Sequence, residues 1–132
     1  MSDFYDIIDK WAEETIGTLD NVLQTIVVMV GKSVITLSPV DTGLFRGNWQ
    51  LTYSGSHGPI DRLDQTGNST IAELVSRSRT FTAGQVAYIQ NHIEYGHDLE
   101  YGSSRVQAPN GMVRVTAARF NQIVAEALAL HV

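Results

Sequence analysis

Cysteine is missing from the 132 residues of this chain, and its absence excludes a disulfide scaffold, a thiolate metal site and a cysteine nucleophile together. A basic start is missing too: the opening residues, MSDFYDIIDK, are acidic and unlike a secretory signal. Long apolar runs are lacking; the longest, residues 26–30, has five residues, far short of the roughly 20 that span a bilayer. Positive charge is scarce, with nine Lys and Arg against 14 Asp and Glu. Proteins that neutralise phosphates need the opposite balance, so sequence-reading DNA binding is not expected. No glycine-rich phosphate cradle exists either, because the repeated Glu-Tyr-Gly at 94–96 and 100–102 lacks phosphate-loop spacing. Together these absences predict a soluble, cytoplasmic-type protein.

What is present suits one domain, expected over residues 1–132. Hydrophobic residues at 43% and charged residues at 17% are ordinary globular proportions, and a chain of this length buries one modest core. The charge is lopsided. Residues 1–20 hold Asp3, Asp6, Asp9, Glu13, Glu14 and Asp20 against Lys10 alone, so they carry the whole net charge of −5.

Apolar residues recur in steps of three and four from Phe4 through Ile8, Trp11, Leu19, Val22, Ile26 and Val30 to Leu37, which is the period of one helix. Ser2 or Asp3 caps its start and Pro39 stops it. The region 1–37 is thus read as a helix of about 33 residues, on the order of 50 Å long, bent or closely packed at Gly17 and Gly31. That exceeds the compact radius of such a domain, a first hint of an assembly subunit. Residues 44–102 are read as a sheet region with connecting loops. A strand carries Trp49, Leu51 and Tyr53 on one buried face, residues 54–69 form a loop, and Thr70 to Glu73 has capping-box spacing for a short helix or strand. A second strand covers residues 85–91, and one helical turn lies between Tyr95 and Tyr101. A final helix, 111–130, turns Val113, Phe120, Ile123, Val124, Ala127 and Leu128 inward. The fold class is α+β: a long N-terminal helix, a small antiparallel β-sheet, short helices and a C-terminal helix.

Candidate chemistry is thin. His92, Glu94, His97 and Asp98 are possible metal ligands, but the histidine spacing fits neither a helical pair nor a strand face, and polar residues beside a glycine turn are the plainer reading. Ser54, Ser56, His57 and Asp61 contain the letters of a nucleophile triad without the strand-turn-helix that would present one. The Asn68-Ser69-Thr70 sequon is discounted for want of any secretion signal. Tyr88, Tyr95 and Tyr101 with Arg105 read equally well as interface residues or as the edge of the core. No cofactor and no metal are expected.

Two segments carry a resemblance. Ser38-Pro39-Val40-Asp41-Thr42-Gly43-Leu44-Phe45-Arg46-Gly47-Asn48-Trp49 follows the long helix. Then come Ala87-Tyr88-Ile89-Gln90-Asn91, Leu99-Glu100-Tyr101-Gly102 and Gln107-Ala108-Pro109-Asn110-Gly111-Met112 before the closing helix. This ordered set resembles the tail-completion or neck (head–tail joining) protein family of long-tailed bacteriophages, the lambda Z-like minor tail proteins. The chain departs from the family pattern in placing Phe45 between Leu44 and Arg46, and in Gln90-Asn91-His92-Ile93 before the next tyrosine. The resemblance implies a non-enzymatic virion protein without cofactor. It would be assembled in the host bacterial cytoplasm and act in the neck or tail. Implied partners are further copies of itself, in a ring of six or twelve, and the connector or stopper, tail terminator and tail tube proteins. Genome DNA passes such an assembly without sequence-specific binding, and no membrane is involved. The acidic N-terminal stretch would suit a channel along which DNA slides.

The interface and structural residues expected on this reading are Pro39, Asp41, Thr42, Gly43, Arg46, Trp49, Tyr95, Glu100, Tyr101, Gly102, Ser103, Arg105, Pro109, Gly111 and Met112. Pro39 and Gly43 shape the helix exit, Asp41 and Thr42 bond the turn's backbone, and Trp49 anchors helix to sheet. Arg46 is expected to meet a carboxylate, Glu100 or an acid of a neighbouring subunit. The loop 103–111 is expected to be mobile and to dock. Two alternatives remain: a tail terminator ring capping the tail tube, and a small metal-dependent hydrolase using His92 and His97, or His57.

Overall fold

The computed structural model describes residues 2–55, 58–101, 108 and 110–132. The architecture is α+β and mostly helical. Helix α1, Ser2–Leu37, runs unbroken for 36 residues, through both Gly17 and Gly31. At Gly31 the close-packing expectation holds: a Cβ there would lie 2.4 Å from a Leu74 methyl, so glycine makes room for Leu74 of the next helix. The helix ends where Ser38 N donates to Ile35 O at 3.2 Å, one residue before Pro39.

Run length understates how apolar α1 is. By length and composition alone it could cross a membrane. In the fold, however, Val22, Val27, Val34 and Ile35 are buried where α1 packs against the helices below.

Strand β1, Trp49–Thr52, pairs antiparallel with β2, Tyr88–Asn91, setting Trp49 opposite Asn91 and Thr52 opposite Tyr88. All four residues of β1 are buried, not only the alternating set. Its second face is closed by the following loop, where Gln50 Nε2 donates to Gly58 O at 2.9 Å and Thr52 Oγ1 accepts from Gly55 N at 3.1 Å.

Helix α2, Asn68–Ser78, replaces the helix-or-strand alternative and does not use the expected capping box. Gly67 at φ 85° precedes it, and its first amides are met by Asp64 from outside. Glu73 turns instead to Arg62 and Arg77. After α3, Gly96–Glu100, the expected single closing helix is two: α4, Val113–Ala118, and α5, Phe120–His131. They are separated by Arg119 at φ −96°, ψ 3°, whose N–H reaches only three residues back, to Thr116 O. The bend lays α5 along α1, burying Ile123 and Ala127 but leaving Val113, Phe120 and Leu128 exposed. The core joins Val27, Val34, Ile35, Phe45, Trp49, Leu51, Leu74, Phe81, Ala108 and Met112.

Candidate functional site

The turn after α1 is built by backbone demand. Gly43 sits at φ +91°, and a Cβ there would come within 2.6 Å of Gln65 N, so side chains are excluded twice over. Its carbonyl accepts from Gly47 N at 2.8 Å and Asp64 N at 3.1 Å. Thr42 Oγ1 accepts from Leu44 N at 3.3 Å, as expected of a turn threonine. Asp41 contributes its carbonyl, to Gln65 Nε2 at 3.0 Å, and its carboxylate holds no backbone group among the described residues. Trp49 is buried and donates Nε1 to Ser38 Oγ at 2.7 Å; that hydroxyl in turn donates to Val34 O at 2.6 Å. Helix end and strand are joined as the sequence predicts.

Arg46 does not pair with Glu100. Among the described residues it meets no carboxylate; its guanidinium donates to three main-chain carbonyls, Gln65 O at 2.6 Å, Ser38 O at 2.8 Å and Thr36 O at 3.1 Å. It therefore closes the C-terminus of α1, whose last carbonyls lack helical partners. Burial lowers its pKa, opposed by the nearby charge of Asp64. Glu100 is engaged elsewhere. Its Oε1 accepts from Met112 N and Val113 N, both at 2.8 Å, and its Oε2 from Arg114 N at 3.0 Å and Arg114 Nε at 3.1 Å. Gly111, at φ +83°, leaves room for that carboxylate, which a Cβ would meet at 2.3 Å. Burial alone would raise the Glu100 pKa, but these donors hold it below the ordinary value. Its role is thus to cap α4 and tie it to α3.

Residues 39–45 meet Tyr95 and Leu99 around a groove of about 360 Å³, so parts of the two sequence segments lie together. The tyrosines find separate neighbours. Tyr95 lies 6.1 Å from the Phe45 ring, Tyr101 lies under Arg114 at 4.7 Å and beside His97 at 4.6 Å, and Tyr88 covers Gly55. Gly102, Ser103, Arg105 and Pro109 lie outside the described residues, with most of the 103–111 loop and its expected mobility; so do Ser56 and His57. Among the described residues no three His, Asp or Glu gather as a metal site.

Sequence reasoning missed the residues that knit the loop 54–69. Asn48, fully buried, donates to Leu44 O at 2.6 Å and accepts from Ile60 N at 2.8 Å. Arg62 donates to Gly47 O at 2.7 Å and Trp49 O at 3.1 Å, and pairs with Glu73. Asp64 accepts from Gly67 N at 3.0 Å, Thr70 N at 2.8 Å and Thr70 Oγ1 at 2.7 Å. Burial pushes its pKa up, yet the bonds from Thr70, Gly67 and Thr66 outweigh that and leave it lowered. The Asp-Gln-Thr-Gly spelling at 64–67 is an Asx-turn signal that a reading of the segment as featureless loop passes over.

A second surface lies away from these motifs. The first bond from α1 to the rest of the molecule is at Asp20, whose Oδ1 accepts from Ala83 N at 2.8 Å; Gln24 then donates to Phe81 O at 2.8 Å. Helix α4 and then α5 run antiparallel beneath, with Thr116 of α4 bonded to Ser33 and His131, at the end of α5, to Thr25, each at 2.7 Å. Beyond its end the helix stands alone for about 27 Å. Phe4, Ile7, Ile8, Trp11, Ile16 and Leu19 are exposed there, Trp11 to 64%. Phe4, Ile8, Trp11 and Leu19 continue, at helical spacing, the face that Val22, Ile26 and Ser33 present to α4 and α5.

No family model, no curated protein and no solved structure matches the chain. The functional reading therefore rests on the residues and their geometry.

Proposed function

We propose that this chain is a structural subunit of the head–tail junction of a long-tailed bacteriophage, completing the tail through ring-type protein–protein contacts. The observation that carries the assembly reading is the overhang of α1. Six large apolar side chains, Phe4, Ile7, Ile8, Trp11, Ile16 and Leu19, stand about half exposed or more along it. Phe4, Ile8, Trp11 and Leu19 share one face of it, and a continuous exposed apolar stripe of this kind marks a protein interaction surface. The ordered motif residues, from Pro39 to Trp49 and from Tyr95 to Met112, support placing that subunit in the neck. Arg46, Trp49 and Glu100 devote their hydrogen bonds to the chain's own backbone, to Ser38 or to Arg114, which is the use expected of a scaffold.

The test is removal of the gene from the phage that carries it. The expected products are filled heads and free tails that join once purified protein is added. Infectious particles lacking the chain would overturn the reading. Metal analysis of the purified protein addresses the hydrolase alternative, with sub-stoichiometric zinc and manganese expected.

A further inference from the structure

We propose that the N-terminal overhang of α1 docks into a groove on the next copy of the same chain. The groove has a volume of about 400 Å³ and lies between α1, the sheet and α4, with Val34, Trp49, Ile89, Val113, Ala117 and Phe120 among its walls. Val113 and Phe120, which the sequence places in the core, are instead about half exposed at its rim. It is thus an apolar trough left open by the bend at Arg119, and it offers apolar side chains the burial that the overhang lacks.

Charge selects the occupant. Arg119 stands between the groove residues Ala117 and Phe120, and its guanidinium has no partner among the described residues, whereas Arg114 is already held by Glu100. The overhang carries Asp9 and Glu14 on the flanks of its apolar stripe, with Asp6 and Glu13 on the far side. Two overhangs packed against each other would oppose these acids to one another, whereas an overhang in the groove sets Glu14 or Asp9 against arginine. Donor and acceptor are different surfaces of one chain, so the contact is head-to-tail and generates a ring where the rotation closes. The inference deepens the ring reading above, but its test needs only the purified chain and is blind to where in a virion the chain resides.

The test measures mass against concentration for the full chain and for Trp11→Glu and Ala117→Glu, with circular dichroism melting to confirm folding. The wild type is expected to grow beyond one chain as concentration rises, while each variant alone stays at one chain. An equimolar mixture of the two should form a species of two chains and no larger, because one intact stripe and one intact groove remain. If either variant melts early, Glu14→Lys and Arg119→Glu replace them. Each is expected to weaken assembly roughly tenfold, with recovery when both are combined. A wild type that stays monomeric to its solubility limit would overturn the proposal. So would Ala117→Glu assembling as the wild type does, or a monomeric chain that binds phosphatidylcholine vesicles through Trp11.

Discussion

Trp49 and Ser38 share the hydrogen bond that joins the end of α1 to β1, and the pair shows how a sequence motif becomes an energetic one. Trp49→Ala should cost about 3–5 kcal/mol, as for other large buried aromatics. Ser38→Ala leaves the buried Nε1 without an acceptor and should cost about 1–3 kcal/mol. A double-mutant cycle read by chemical denaturation checks both, since the second substitution should add little once the first is made. Asp64 is the other decisive residue. A carboxyl held below its ordinary pKa stabilises the fold above its unfolded pKa, and that stability is lost as pH falls through the lowered value. Asp64, Glu73 and Glu100 are all lowered, so the melting temperature should drop as pH falls below about 5. Asp64→Asn should cost about 2–3 kcal/mol at neutral pH and make that acid decline shallower.

Among the elements, α1 was legible because a period of three and four sustained over 36 residues admits no other structure, and Pro39 fixes its end. Strand β1 was legible in part. Its alternation identified the strand, but burial of its second face depends on Arg62, Asn48 and Gln50 meeting backbone carbonyls and amides that are 8 to 15 residues away, a pairing that no local pattern encodes. The break at Arg119 was not legible, because apolar spacing continues across it while the helix axis turns. The Arg46–Glu100 pair failed for a related reason: opposite charges in two motifs suggest each other, yet exposed helix ends claimed both side chains first. Gly43 tests the turn between elements. With φ at +91° and backbone atoms crowding the Cβ position, Gly43→Ala should cost about 2 kcal/mol or more, seen as a lower denaturation midpoint at unchanged slope.

At the scale of the molecule, one helix belongs to two environments. Its second half is wedged among α2, α4 and α5, while its first half has, among the described residues, only its own hydrogen bonds. Hydrogen exchange should therefore report rapid exchange at amides 4–19 and strong protection at 22–35 in the monomer, with protection spreading to the first half on assembly. The anchored half also sets the aim of the free half. The helix acts as a lever of about 40 Å from its seat to Phe4, so a tilt of about 5° at the seat moves Phe4 by roughly 3.5 Å. The seat is Gly31 against Leu74, where the methyl group of alanine fits only if the buried Leu74 side chain turns away or the two helices shift. A substitution hidden in the core would then be felt farthest from it, as a misdirected tip that misses its target while the body stays folded.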